Sequence, residues 1–506
     1  MNNQNHNKMS CANVSTTSLA YKHILKSASL FGGVQVIQII AALIRGKFIA
    51  VFLGTAGLGV SSLLVSAITT IQTIFGFGMD FSAVREISQA KETENLNKIS
   101  KTIKVSFRWF LFSSFTSALT LIVVAHWLSN FVFGNEDYTR VFVWLSIVVA
   151  ISTLSASYLS QLQGTRRLKE MAKASVIGSI LSIFTSAPIY YFWRIKGIVP
   201  ALILAALTTF TINYYFVRKI KLVKVNIGVR ETVKEGSGMF KLGVARMIAG
   251  LLGTLAVFLI NAYIKRTGSL SDVGLYQAGM TISNQYVGVI FAAIAVDYFP
   301  RLAAVNSDPT KVTDMANQQS EIMILIVTPI LITMILTASP LISILLTDDF
   351  LPIVNFIRLI SIGVFFQAAK QSMDLISFAK GDTQTFLMLS IIGSCLLLFS
   401  SIIGYTIHGL NGTAAMFILH SIICFSLIYY VAHKKYNYDM SKSFKKLFTV
   451  SICPIVLVCA LLMLIPNVLG YVLSGLLLCS SVIYSIYMLD KLIGLKNSYN
   501  NFISRF

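Results

Sequence analysis

Charge is what this sequence has least of. Only 12% of its 506 residues are Asp, Glu, Lys or Arg, about half the share of a soluble domain. Acids are scarcer still, 20 against 41 Lys and Arg. There are six cysteines, five of them (Cys395, Cys424, Cys453, Cys459 and Cys479) in apolar stretches and Cys11 in the polar N-terminal tail. No CxxC and no His/Cys cluster occurs, so neither a disulfide framework nor a metal site is indicated, and no cofactor is expected. GxSxG, P-loop and HExxH signatures are missing, as are paired acids in any sizeable loop. No catalytic residue is nominated, and the chain reads as a non-enzyme that does not hydrolyse ATP itself.

What is present is apolar length. Hydrophobic residues make up 55% of the chain, and its mean hydropathy is +0.75. Apolar segments recur that are each long enough to cross a hydrocarbon core of about 30 Å as a helix. Fourteen spans are predicted, near 27–50, 56–80, 106–128, 139–161, 172–193, 197–217, 239–263, 273–297, 319–338, 350–376, 385–405, 409–432, 447–466 and 469–490. The expected fold class is an all-α polytopic membrane protein. The first 23 residues are polar, and no small-residue cleavage site follows the first apolar stretch, so that stretch reads as a retained span.

The net charge of +21 would suggest nucleic acid in a soluble protein, but no aromatic-basic module supports that partner. The cations cluster instead in alternate loops: Arg85 to Lys104, Arg166 to Lys169, Arg218 to Lys234 and Lys434 to Lys446. The opposite loops are short and carry Glu136-Asp137 and Asp348-Asp349. Lys and Arg counts set orientation, which places both termini in the cytoplasm.

A repeat divides the chain. Asp297 stands 217 residues after Asp80, each closing the second span of its half. On that register Gly57-Leu58 matches Gly274-Leu275, Ser66 matches Ser283, and Gly164 matches Gly381. Six spans per half make the repeat parallel, the arrangement of carriers whose two lobes enclose a central site. The expected organisation is a tail over 1–26, a six-helix lobe over 27–217 and a basic linker over 218–238. A second six-helix lobe over 239–432 follows, then two additional helices and a cytoplasmic end over 433–506.

The stretches GKFIAVFLGTAGLG (46–59), FGNEDY (133–138) and DVGLYQAGMTIS (272–283) resemble the Wzx-type O-antigen and polysaccharide-unit flippases. These belong to the MATE-like superfamily of multidrug and oligosaccharidyl-lipid exporters. The resemblance implies a V-shaped, two-lobed carrier in a bacterial inner membrane. It would move an undecaprenyl-pyrophosphate-linked oligosaccharide from the cytoplasmic to the outer leaflet. A polysaccharide polymerase, a ligase and a coupling ion, proton or sodium, stand as open partners beside the glycan lipid and membrane lipid.

The residues themselves nominate a site through charge inside spans, which costs roughly 2.5–3.5 kcal/mol at mid-membrane on insertion scales. Arg45 shares a helix face with Gln38, and its fork suits phosphate oxygens; snorkelling toward the interface is the competing reading. Arg246 shares a face with Gly250, Gly253 and Val257, and could stand in a cavity or at the cytoplasmic interface. Arg358 lies toward the outer end of the tenth span. Gln367, Lys370 and Asp374 follow it on one face, either as a headgroup or coupling site or as an internal ion pair. Gln72, Asn284 and Gln285 offer amides suited to sugar hydroxyls or to interhelical hydrogen bonds. Asp80 and Asp297 read as gate candidates or as plain helix ends. A MATE-type cation antiporter would instead show carboxylates in mid-span. A membrane glycosyltransferase or polymerase would expose a large outer loop.

Overall fold

The structure, a computed structural model, describes the backbone of residues 3–306 and 308–493 and most of the side chains from residue 33 onward. Among the described residues it is all-helical: α1 (Asn3–Phe75), α2 (Met79–Glu92), α3 (Leu96–Phe133), α4 (Thr139–Gly164), α5 (Leu168–Trp193), α6 (Ile198–Val217), α7 (Val229–Thr267), α8 (Leu270–Ala304), α9 (Pro309–Leu336), α10 (Ala338–Leu345), α11 (Val354–Ala379), α12 (Thr383–Tyr436), α13 (Lys442–Leu464) and α14 (Val468–Ile493). Ten segments among the described residues are long and apolar enough to span a membrane.

Three of those segments, 33–75, 168–217 and 383–436, hold 43 to 54 residues. A straight helix of that length measures about 65–80 Å, twice the hydrocarbon core. Each is in fact two helices. α1 breaks at Gly54, whose φ of 67° is left-handed. The α5–α6 pair turns through a 3-10 segment at Arg194–Gly197. α12 breaks at His408 and Gly409, and a Cβ on Gly404 would overlap the Gly412 carbonyl, so the chain has doubled back. With α8, the described residues contain fourteen passes, in agreement with the hydropathy reading.

Two boundaries differ from expectation. The second span ends at Phe75 rather than 80, because Phe77 and Gly78 both take left-handed φ and a new helix starts at Met79. The basic linker ends at Val229, where α7 already begins. Its polar first turns lie along α3: Lys101 meets Glu231 and Glu235 at 2.5 Å each, and Arg108 donates to the Thr232 hydroxyl at 2.7 Å.

Acids do much of the capping. Asp308 accepts from the Thr310 and Lys311 amides, Asp382 from the Thr385 amide, and Ser269 with Asp272 forms a capping box on α8. Each satisfies amides that a helix start leaves open. Inside the bundle, helices are tied by small hydroxyls and amides: Ser114 to the Ala150 carbonyl at 3.0 Å, Asn213 to Ser155 at 2.9 Å. The perimeter carries apolar side chains such as Phe115, Val123, Phe184 and Phe192, as expected where lipid is the solvent.

Residues before and after the linker meet at two levels of the bundle, one at the start of α8 and one in the first half of α7. At the first, Gly59 and Gly274 pack backbone to backbone, since a Cβ on either would overlap a carbonyl oxygen (Leu270 or Thr55), and Thr55 donates to Ser271 at 3.2 Å. At the second, Gly78 and Gly243 do the same, beside the Phe77–Phe240 ring contact at 5.1 Å. Between these two closures lies open volume.

Candidate functional site

A cavity of about 700 Å³ opens between the two arms of α1, α7 and α8, with α5, α6 and α10 closing its sides. Its floor is small and hydroxylic: Ser61, Ser62, Ser66 and Thr69 from the second arm of α1, and Thr254 from α7. Among the described lining residues Arg45 is the one charged group and no carboxylate is present. The Arg45 Nη2 donates to Ser182 of α5 at 2.7 Å, while its Nε is buried without a partner. The guanidinium is therefore held in place and keeps donors in reserve.

A second cavity of about 310 Å³ adjoins the first and shares Thr69 and Gly250 with it. Gln72, Asp80 and Arg246 lie on its wall. Asp80 stands in the first turn of α2, where a carboxylate is favoured by the amide end of the helix. It begins a helix rather than ending one. The face of α7 that carries Arg246, Gly250, Gly253 and Val257 runs from the lower cavity into the upper one.

Other nominated residues lie elsewhere. Arg358 is buried and lines neither cavity. Its Nη1 donates to Asn355 at 3.2 Å and to the Leu462 carbonyl of α13 at 3.0 Å, and its Nη2 to the Tyr471 hydroxyl of α14 at 3.4 Å. It ties α11 to the last two helices. Lys370 and Asp374 pair with each other at 2.7 Å within α11, and Gln367 one turn earlier also lies outside both cavities. Gln38, Asn284 and Gln285 line neither cavity, and the side chain of Asp297 lies outside the described residues. Lys47 donates to the Ser343 carbonyl at 3.0 Å and to that of Leu346, closing the end of α10.

The amides that do line the upper cavity are Asn261 and Gln277, which charge counting does not find. The signal for Asn261 is helical spacing, four residues beyond Val257 on the Arg246 face. Behind Arg45, a groove of about 750 Å³ runs between the first arm of α1 and α5. Its walls are Ile37, Ile44, Phe48, Ile183, Phe184 and similar apolar groups. Ile44 and Ile183 are the chain neighbours of Arg45 and Ser182, so their hydrogen bond stands between the cavity that holds the polar groups and an apolar groove.

A family model described as a polysaccharide biosynthesis protein matches residues 48–355, more than half of the chain. The lipid III flippase of Escherichia coli (strain K12) is 23% identical over 286 residues, covering 55% of this chain and 67% of that protein. Among solved structures, an inward-facing multidrug resistance MATE family transporter of the MOP superfamily superimposes with a TM-score of 0.69. Identity there is 15%, over 83% of this chain and 99% of that one. The lipid II flippase MurJ in an inward closed conformation gives a TM-score of 0.68 at 11% identity, over 92% and 99%. The fold is thus that of MOP-superfamily transporters.

Proposed function

The chain belongs to the polysaccharide biosynthesis protein family, and on that premise we propose that it is a flippase for a polyprenyl-pyrophosphate-linked oligosaccharide. One observation carries the reading. The upper cavity presents Arg45, hydroxyls and amides, and no carboxylate among its described lining. A cationic substrate needs negative charge to replace its hydration, and this lining supplies none. An anionic pyrophosphate needs donors, and a guanidinium offers a planar fork that engages two phosphate oxygens at once. The serines, threonines and amides match neutral, hydroxyl-rich sugar.

The groove behind Arg45 lets a polyprenyl chain remain in an apolar surround while its head enters the cavity. The basic loops favour a cytoplasmic side for the Arg246 cavity, and in this reading substrate enters past Arg246 and Asp80 and leaves toward the end closed by Gly59 and Gly274. Two lobes, 27–217 and 239–432, rock about the paired glycine contacts to expose each side in turn. The direction is cytoplasmic to outer leaflet of a bacterial inner membrane. The gradient that drives it comes from substrate consumption outside or from a proton or sodium ion.

Binding in nanodiscs tests the reading. The protein is expected to bind undecaprenyl-pyrophosphate glycan in preference to the lipophilic cation tetraphenylphosphonium. The opposite preference would identify a cation antiporter instead.

A further inference from the structure

We propose that Asn261 is the sugar-binding group of the upper cavity, taking the hydroxyls of the ring that follows the pyrophosphate. This rests on the flippase reading and deepens it.

Asn261 is only 1% exposed, yet neither its Oδ1 nor its Nδ2 has a hydrogen-bond partner. Buried amides are nearly always paired, and one left open on both atoms calls for an explanation. A Leu at the same place would be cheaper, because desolvating an unpaired amide is costly. Asn261 lines the same cavity as Arg45, together with Gln277, Thr281 and Thr254. A ligand that both donates and accepts hydrogen bonds would satisfy both atoms.

Depth supplies the second argument. The Gly54 turn and the end of α7 at Thr267 lie at the same end of the bundle, as the Thr55–Ser271 hydrogen bond at 3.2 Å shows. At 1.5 Å per residue, Arg45 stands roughly 14 Å from that end and Asn261 roughly 9 Å. The two are offset by about one helical turn. A head group whose phosphate meets Arg45 therefore presents its next ring at the level of Asn261.

The chemistry selects the ligand class. A phosphate needs donors alone and a cation needs acceptors alone. An amide offers two N–H donors and a carbonyl acceptor on one rigid plane. That set pairs with vicinal hydroxyls, or with a hydroxyl and an acetamido group, each of which both donates and accepts. Arg45 then reads the charge common to all lipid pyrophosphates, and Asn261 reads whether a sugar is attached.

The test uses full-length protein in nanodiscs and two probes: undecaprenyl pyrophosphate, bare or bearing one N-acetylglucosamine. Wild type is expected to bind the glycosylated probe more tightly. Asn261→Leu is expected to leave the bare probe within about twofold and to weaken the glycosylated probe about tenfold, the worth of one or two hydrogen bonds. Asn261→Ser, which restores a hydroxyl, is expected to recover part of the preference. The ratio is read on one preparation, so a loss of folded protein cancels. If Asn261→Leu weakens both probes equally, or neither, or if wild type does not distinguish them, the inference is overturned. If wild type binds neither probe, the flippase reading falls as well.

Discussion

Replacing Arg45 by Ala removes the one charge on the described wall of the upper cavity. Its Nη2 is committed to Ser182 at 2.7 Å, and the buried Nε has no partner. A guanidinium carries five N–H donors, so enough remain to hold a phosphate without breaking the Ser182 contact. A hydrogen bond to a charged group contributes about 1.5–3 kcal/mol, which is roughly a ten- to hundredfold change in affinity. Arg45→Ala is therefore expected to weaken undecaprenyl pyrophosphate by that factor. Arg45→Lys keeps the charge but loses the fork, and is expected to fall between the two. The assay is equilibrium binding in nanodiscs, with uncharged undecaprenol as the control ligand. Undecaprenol should bind wild type and Arg45→Ala alike, because the groove of Ile37, Ile44 and Phe184 is untouched. Unchanged pyrophosphate binding in Arg45→Ala would show that Arg45 does not hold the phosphate. So would an equal loss for both ligands, which would show that the substitution had damaged the groove rather than removed a phosphate contact.

Arg358→Ala is expected to lower thermal stability by about 2–4 kcal/mol by opening α11 from α13 and α14, while ligand binding stays at the wild-type level; calorimetry and the same binding assay check both halves. Gly274→Val places a side chain against the Thr55 carbonyl. It is expected to reduce disulfide cross-linking of a Thr55→Cys, Ser271→Cys pair and to slow transport, whereas a cross-link yield equal to that of the glycine parent would count against closure at that end. The Lys435 ammonium at 2.6 Å, helped by the Thr385 amide and the Tyr436 hydroxyl, holds the Asp382 carboxyl well below its ordinary value. A depressed carboxyl stabilises above its unfolded value, about pH 4, and that contribution is lost as pH falls toward the folded one. Melting temperature should therefore drop below about pH 4 in wild type and drop less in Asp382→Asn.

The spans were legible because lipid as solvent forces long apolar runs, and the three reversals, at Gly54, Arg194–Gly197 and His408–Gly409, fall between predicted spans or reach no further than the first residue of the next one. The start of α7 at Val229 was not, because its polar turns are held by partners distant in sequence, Lys101, Arg108 and Trp109. Charge inside a span marks a residue that must face something other than lipid, and it singled out Arg45, Arg246 and Arg358 equally. It cannot say what each faces. Arg45 and Arg246 face open volume, while Arg358 faces α13 and α14, two helices outside the repeat. Asn261 carries no charge and so raised no signal, although stepping four residues from Val257 along the Arg246 face leads to it.

Transport in proteoliposomes is the direct test of whether the protein is a flippase. Fluorescent undecaprenyl-pyrophosphate glycan is placed in both leaflets, and its transfer is read by quenching the label exposed outside. Purified protein is expected to move this lipid between leaflets, with Arg45→Ala at least tenfold slower and no cationic dye carried. Movement of the dye with no movement of the glycan lipid would contradict that expectation.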